Sequence, residues 1–216
     1  MEKDLKIFNS IFNGFTLAEV LITLGIIGVV ASMTLPTIKQ KLDERSNISM
    51  LKKFYTEFAN ATNLIIADYG QPEVWGLEDN NAESSQTVLD LYKQRLNMTR
   101  ICEEGDSSCF AFPVCKYNGV TKITDSEYRS WQLKSFILNN GVTVFFDVND
   151  GWFSVFFDVN GKKKPNRLGN DVFAWAVNGK GKIVSHSDET ISGSGANEKE
   201  YDYAFEIMEN SWTKKY

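Results

Sequence analysis

Several side chains in this sequence have the chemistry to coordinate a cation. Asp158 and Asn160 flank a glycine-containing turn, and Asp171 follows in the same polar stretch. Alternating carboxylate and amide oxygens in a loop are ligands that Ca²⁺ takes in proteins. The stretch departs from the EF-hand template, because it lacks the Glu at the twelfth loop position and Lys162–Lys164 adds positive charge. The residues predict either a Ca²⁺ site at Asp158, Asn160 and Asp171 or a hairpin turn capped by its own side chains.

A second candidate for chemistry is the single histidine, His186, which is flanked by Ser185, Ser187 and Asp188. Residues adjacent in a strand or loop point in different directions, whereas catalytic triads are assembled from separated segments. The sequence also lacks the short motifs of serine hydrolases, zinc proteases and phosphate-binding loops. We therefore expect an exposed histidine without a catalytic role, and a protein that is not an enzyme.

The three cysteines, Cys102, Cys109 and Cys115, lie within 14 residues of one another. Outside the cytoplasm two of them are expected to form a disulfide. A metal site is the alternative, but no Cys-x-x-Cys is present and His186 is remote in sequence. The spacing predicts a disulfide and leaves open which thiol remains.

The only basic cluster is Lys162–Lys164 with Arg167, in a chain whose net charge is −5. An acidic chain has no general electrostatic attraction for nucleic acid. No aromatic residues interleave with these lysines, so a stacking platform for bases is not indicated. We interpret the cluster as a solvated loop and expect no nucleic-acid partner.

The longest apolar run extends from Phe15 to Ile38, 24 residues with one formal charge, Glu19. About 20 apolar residues in a helix cross the hydrocarbon core of a bilayer. A carboxylate inside such a run is costly unless it has a partner. The run therefore predicts a membrane-spanning helix in which Glu19 is paired.

A short polar leader, then Gly14, Phe15 and Glu19 at the start of this run, resemble the signal of type IV prepilins and of the pseudopilins of type II secretion and DNA-uptake systems. The resemblance implies that prepilin peptidase cuts between Gly14 and Phe15 and methylates Phe15. It also implies that Glu19 pairs with the terminal amine of a neighbouring subunit, and that Pro36 bends the helix. The implied partners are other pilin or pseudopilin subunits, the assembly platform and inner-membrane lipid.

The sequence departs from this signal at Asn13, where many members carry Lys or Arg. Lys and Arg are also more frequent after the apolar run than in the leader, which by itself favours a cytoplasmic C-terminal part. The resemblance favours the opposite orientation, with the leader inside the cell. We adopt the orientation that the resemblance implies, and the clustered cysteines agree with it.

Beyond Pro36 a helical apolar pattern continues through Leu51, Phe54, Phe58 and Ile65. This pattern predicts one helix over about residues 15–68, apolar all round at first and amphipathic later. Gly70 and Pro72 provide its stop signal. A second, short helix is predicted at Thr87–Asn97, and a closing helix or turn near Tyr201–Trp212.

Residues rich in β-branched and aromatic side chains follow in series. They predict strands at Ser135–Leu138, Val142–Val148, Phe153–Val159 and Phe173–Val177. Between and after them are Asn-Gly and Asp-Gly pairs, at Asn140-Gly141, Asp150-Gly151, Asn160-Gly161 and Asn178-Gly179, which are typical of tight hairpins. The predicted fold class is α+β: a long helix packed on an antiparallel sheet, the pilin-like architecture.

We expect a leader at 1–14, a membrane or filament-core helix at 15–38, its amphipathic continuation at 39–70 and an extracytoplasmic α+β domain at 71–216. The function expected from the resemblance is a structural subunit of a bacterial pilus or pseudopilus, anchored in the inner membrane before assembly and at the cell surface afterwards. The alternative is a membrane-tethered binding domain that does not polymerise.

Overall fold

The chain forms one long helix followed by an antiparallel sheet with short helices around it. A computed structural model describes residues 14–103, 105–116, 118–130, 134–191 and 199–214. They belong to two compact units, one ending at Asp43 and the other comprising Glu44–Tyr216. The predicted α+β class is confirmed.

Four helices and eight strands make up the described part of the chain. The helices are α1 (Leu17–Tyr69), α2 (Ala82–Lys93), α3 (Asp125–Ser130) and α4 (Tyr203–Glu209), with 3₁₀ turns at Pro72–Val74, Ser107–Cys109 and Lys199–Tyr201. The strands are β1 (Met98–Cys102), β2 (Val114–Cys115), β3 (Thr121–Ile123), β4 (Lys134–Leu138), β5 (Thr143–Asn149), β6 (Trp152–Asp158), β7 (Val172–Val177) and β8 (Ile183–Val184). A six-stranded sheet has the order β1-β4-β5-β6-β7-β8, and β2 pairs with β3 separately.

The predicted long helix is confirmed as α1, which has 53 residues. It ends at Gly70, whose φ of +81° is the left-handed conformation of a helix C-cap. The Gly70 amide donates to the Ile66 carbonyl at 3.0 Å, and Pro72 begins the next turn. The stop signal in the sequence therefore operates as predicted.

In the first unit, nearly all of the described side chains are exposed. Ala31, which is half-buried, is the single exception between residues 14 and 43. By length and composition α1 is able to cross a membrane, and its most apolar window has no buried residue. A helix that is apolar all round needs an apolar surrounding, which one copy of this chain in water does not supply.

In the second unit, α1 packs through one face on the six-stranded sheet. Phe54 meets Phe157 and Trp175, with ring centroids 4.7 and 5.3 Å apart. Phe58 stacks on Tyr92 of α2 at 4.8 Å. The buried positions of α1 are Asn47, Leu51, Phe54, Phe58, Ala61, Thr62 and Ile65. The predicted amphipathic half of the helix is thus confirmed.

The opposite face of the sheet is covered as well. Phe145 and Phe156 stack on neighbouring strands at 4.8 Å, and Phe110 packs edge-on against Phe145 at 4.9 Å. Every residue of β6 and of β7 is buried in consequence. Because both faces are covered, these strands read as continuous apolar runs instead of alternating ones.

The four predicted strands are confirmed as β4 to β7, with their ends moved by about one residue. Strands β1, β2, β3 and β8 were not predicted. Strand β1 pairs with β4 through contacts such as Ile101 with Phe136. The predicted helix at Thr87–Asn97 is wrong in its bounds, since α2 starts at Ala82. Asn81 caps it, its side-chain oxygen accepting from the amides of Glu83 and Ser84 at 2.8 and 3.2 Å.

The predicted hairpin turns are confirmed at Gly141 and Gly151, which have φ of +87° and +74°. The tight hairpin predicted at Asn160-Gly161 is wrong, because residues 159–171 form a long connection between β6 and β7. In the turn that begins at Asn178, the left-handed residue is Gly181 and not Gly179. A Cβ at Gly181 would lie 2.1 Å from the Ile66 side chain, so this turn contacts the distal end of α1.

Candidate functional site

Gly14 and Phe15 precede α1 and are open to another molecule. No described atom beyond the adjacent residues lies within 4 Å of the place a Cβ would take at Gly14. The Phe15 side chain is 87% exposed. The peptide bond between these two residues is therefore accessible to a protease among the described parts of the chain.

Glu19 forms a capping box with Thr16 at the start of α1. Its carboxylate accepts hydrogen bonds from the Thr16 amide and hydroxyl, both at 2.8 Å, and the Glu19 amide donates to the Thr16 hydroxyl at 3.2 Å. This reciprocal arrangement satisfies donors that a helix start otherwise leaves open. The Thr-x-x-Glu spacing of this cap is a signal present in the sequence. The partner expected for Glu19 from the resemblance was the amine of another subunit, and the cap inside the chain was not predicted.

Pro36 lies inside α1, which continues on both sides of it. Proline has no amide hydrogen, so the carbonyl four residues earlier, that of Ser32, lacks its helical donor. Side-chain hydroxyls nearby bond to helix carbonyls: Ser32 to Val29 at 2.7 Å and Thr34 to Val30 at 3.0 Å. The bend at Pro36 stays a prediction.

The predicted calcium ligands meet in the connection between β6 and β7, residues 159–171. Asp171 organises this loop: its carboxylate accepts from the Asn166 amide at 2.9 Å, the Arg167 amide at 2.7 Å and the Asn160 side-chain nitrogen at 3.0 Å. Asp158 accepts from the Asn160 amide at 3.0 Å. Both carboxylates are fully buried.

Four buried oxygens of this loop and of the adjoining strand ends have no hydrogen-bond donor among the described residues. They are Asp158 Oδ2, Asn160 Oδ1, Asn166 Oδ1 and Thr143 Oγ1, none of which has a partner among the described residues. Thr143 lies directly opposite Asp158 in the β5–β6 ladder. Asn166 and Thr143 were not among the predicted ligands, and only the strand register and the loop path bring them near the aspartates.

Burial, together with the charge of the neighbouring Asp171, raises the pKa of Asp158 to about 8, against the backbone hydrogen bonds that it accepts. Burial likewise raises the pKa of Asp171, against the hydrogen bonds that it accepts. Among the described residues no basic side chain forms an ion pair with either carboxylate. Two buried carboxyl groups therefore share one region, and a basic group that acts on them, Lys214, interacts with Asp171 electrostatically without forming an ion pair.

The donor set consists of oxygen atoms only. No group of three or more His, Cys, Asp or Glu side chains with metal-binding arrangement occurs in the described parts of the chain. Two carboxylates, two amide oxygens and a hydroxyl are the chemistry of a hard cation such as Ca²⁺, and not of zinc. The Asn160 amide nitrogen points at Asp171; rotating this amide by half a turn would present its oxygen instead.

The cysteine cluster contains the predicted disulfide, between Cys102 and Cys109, whose Cα atoms are 5.9 Å apart. Cys115 is the remaining thiol and is half-buried. Its amide donates to the Asn166 carbonyl, and its carbonyl accepts from the Leu168 amide, both at 2.9 Å. Strand β2 is thereby joined to the β6–β7 connection.

The expectation of an exposed histidine is wrong. His186 is 1% exposed and lies between the rings of Phe156 and Tyr201, at 5.7 and 4.9 Å. His186 is buried because Tyr201 and the C-terminal part of the chain cover the face of the sheet that lies opposite α1.

A long N-terminal helix, apolar in its first half and packed through its second half on an antiparallel sheet, is the architecture of pilin-like proteins. Residues 10–35 match the family model described as the prokaryotic N-terminal methylation motif, the signal of type IV pilins and pseudopilins. Searches of curated proteins and of solved structures found no match to this chain. The chain therefore carries the signal that implies processing by prepilin peptidase, and this likeness covers the N-terminal segment alone.

The disulfide gives the first prediction. Replacing both Cys102 and Cys109 by Ser should lower the free energy of unfolding by about 2 kcal/mol, the loop-closure contribution of a short ring. Thermal unfolding of the full chain in detergent micelles, followed by near-ultraviolet circular dichroism, measures this change. Cys115→Ser is the control and should shift stability by less than about 1 kcal/mol. A peptide map that links Cys115 to either partner would contradict the pairing.

Proposed function

We propose that this chain is the precursor of a structural subunit of a bacterial pilus or pseudopilus, in a type IV pilus, a type II secretion system or a DNA-uptake system. The observation that supports this most is the exposed apolar half of α1, which starts at the methylation motif and is not covered by any of the residues that the structure describes. In this proposal 1–14 is the leader, 15–38 the membrane and filament-core segment and 39–70 its amphipathic continuation. Residues 71–216 form the outer domain.

The precursor is held in the inner membrane by a single span, with its leader inside the cell and its second unit outside. The length and composition of α1 support the span. The disulfide supports an extracytoplasmic second unit, because disulfides persist in oxidising compartments. Prepilin peptidase cuts between Gly14 and Phe15 and methylates Phe15, and the assembly platform then adds the subunit to its neighbours.

In the filament, the apolar segments of many copies pack against one another, so each segment is surrounded by protein instead of lipid. Glu19 is four residues from the new terminal amine, so a carboxylate and a cation enter the same low-dielectric bundle. Pairing the amine of one subunit with Glu19 of the next leaves neither charge isolated. Such head-to-tail contacts do not close on themselves and therefore produce filaments.

Processing is tested by the mass of the mature N-terminus. Protein purified from its own cells should begin at Phe15 with one added methyl group, which is about 14 Da. Gly14→Ala, at a position with open space around it, is the variant expected to stop cleavage, because a side chain then stands next to the cut bond. A wild-type chain that retains Met1 would contradict the proposal and favour the alternative, a tethered binding domain that does not polymerise.

Assembly is tested by two substitutions at Glu19. Glu19→Gln removes the charge but keeps a side chain that completes a capping box, whereas Glu19→Ala removes both. Both variants should insert and be cleaved, and both should give at most about a tenth of the wild-type filaments in a shearing assay. Thr16→Val is the control, because it removes the hydroxyl of the local cap and leaves the charge in place. Normal filaments from Glu19→Gln would show that capping, not charge pairing, is the role of Glu19.

We also propose that the 159–171 loop holds Ca²⁺ through Asp158, Asn160 and Asp171. The buried oxygens that lack donors support this, and Asn166 and Thr143 extend the ligand set. A bound cation would satisfy these oxygens and neutralise two carboxylates that otherwise share one buried region. Its effect would be to hold the β6–β7 connection against the end of the sheet.

The raised pKa of Asp158 predicts a calcium effect that depends on pH. Its folded-state pKa of about 8 exceeds the ordinary value of about 3.9, so the metal-free protein loses stability as pH rises from about 4 to about 8. Calcium requires the ionised form and must displace the proton at low pH. Added Ca²⁺ should therefore raise Tm by several degrees at about pH 8 and far less at about pH 5.

Asp158→Asn should abolish this shift, and Asp90→Asn, at an exposed position on α2, is the matched control. Burial also raises the pKa of Asp147 to about 7, so the stability of the metal-free protein depends on this group as well. The quantity to compare at each pH is therefore the difference between Tm with Ca²⁺ and Tm without it. Equal or absent shifts at both pH values would exclude the site.

A further inference from the structure

Exposed positive charge is concentrated in the loop that contains the candidate cation site. Lys162, Lys163, Lys164 and Arg167 are exposed within a chain whose net charge is −5. The Lys162 ammonium donates to the Ser108 carbonyl. Among the described residues, neither Lys163 nor Lys164 forms an ion pair or a hydrogen bond through its side chain. Two lysines of this loop are therefore available to an outside anion.

The 159–171 loop packs against the first residues of the second unit. The Asn47 side chain, 6% exposed, donates to the Asn170 carbonyl at 3.0 Å. Lys214 donates to the Asn170 side-chain oxygen at 3.1 Å. Burial lowers the pKa of Lys214, while Glu44 and Asp171 act in the opposite direction, so Lys214 lies close to both carboxylates. The first residues of the second unit and its C-terminal segment thus hold this loop.

Chain length limits how far the loop lies from a bilayer. Nine residue steps separate Ile38, the end of the apolar run, from Asn47. Even a fully extended chain covers no more than about 30 Å in nine steps. The intervening sequence contains three basic residues, Lys39, Lys41 and Arg45, and two acidic ones, Asp43 and Glu44. Whatever the arrangement of the two units, Asn47, which holds the loop, stays within about 30 Å of the end of the apolar run.

We propose that Lys163 and Lys164, with Lys162, bind the phosphate headgroups of anionic phospholipids while the subunit waits in the membrane. This inference depends on the proposed membrane-anchored precursor. An ammonium on a flexible stem is a point charge that suits a diffuse layer of phosphates, and each such lysine raises occupancy about fivefold near an anionic surface. The 159–171 loop contains no aromatic residue, so it offers no stacking surface for nucleic-acid bases.

The opposite end of the second unit provides an internal control. Lys180 and Lys182 are also exposed, in the turn whose Gly181 contacts Ile66. Asn47 and Ile66 are 19 residues apart on α1, which is about 28 Å along the helix. That distance exceeds the Debye length of about 8 Å at physiological salt. Headgroups that contact the loop should leave Lys180 and Lys182 unaffected.

The test uses the full chain in lipid nanodiscs, either of phosphatidylcholine alone or with about a third phosphatidylglycerol. Lysine acylation rates are read by mass spectrometry. Lys163 and Lys164 should react about threefold more slowly in the anionic discs, and salt of about 0.5 M should restore the rate. Lys180 and Lys182 should react equally in both discs. Equal rates for Lys163 and Lys164 in both lipids would overturn the headgroup contact.

A matched pair of variants tests whether the charges act together. In the Lys163→Gln/Lys164→Gln variant, the protection of Lys162 by anionic lipid should disappear, whereas Lys180→Gln/Lys182→Gln should retain it. Binding of labelled duplex DNA by Lys163 and Lys164, with no dependence on lipid charge, would assign the loop to nucleic acid and overturn the proposal. A chain that does not elute with the discs would instead refute the membrane anchoring, and gel filtration identifies this outcome separately.

Discussion

The uncovered apolar surface of the first half of α1 is the constraint on which the other features depend. Side chains from Leu17 to Leu42 point outward with half or more of their surface exposed at most positions. Burying apolar surface is worth about 25 cal/mol per Å², so a helix of this kind is stable only in lipid or among similar helices. A processing signal lies at the start of this segment, one acidic residue lies within it and a folded unit follows it.

The second half of α1 also has an apolar face, and this face is buried by other parts of the same chain. Leu51, Phe54 and Phe58 are covered by the sheet and by α2. The Thr62 hydroxyl, at the centre of this contact, pairs with the Tyr92 hydroxyl at 2.7 Å, so these two buried hydroxyls satisfy each other. The change from an uncovered to a covered helix surface begins near Asn47, the first buried position of α1.

The 159–171 loop separates charge by environment. The carboxylates of Asp171 and Asp158 are buried, whereas the lysines of the loop are exposed. Inside, two carboxyl groups share one buried region, and protons or a cation must compensate for their charge. Outside, water, salt or anionic headgroups surround the ammonium groups. Asn170 of this loop accepts hydrogen bonds from Asn47 of α1 and from Lys214 of the C-terminal segment. The loop therefore connects the sheet to both of these segments.

Features encoded over a few residues were determined by the sequence alone. The 3.6-residue apolar repeat, the stop at Gly70 and the Gly turns at Gly141 and Gly151 defined α1 and strands β4 to β7. The apolar run with Gly14, Phe15 and Glu19 defined the processing signal. Each of these follows from local periodicity or from backbone conformations that only certain residues adopt.

Tertiary structure decided whatever depends on partners distant in the chain. The Cys102–Cys109 pairing, the pairing of β1 with β4 and the burial of His186 have no local signature. The same holds for Thr143, which the β5–β6 register places opposite Asp158, and for Asn166, whose amide the loop path brings to Asp171. Propensity and spacing describe a segment, whereas the burial of a polar atom depends on which other segment covers it.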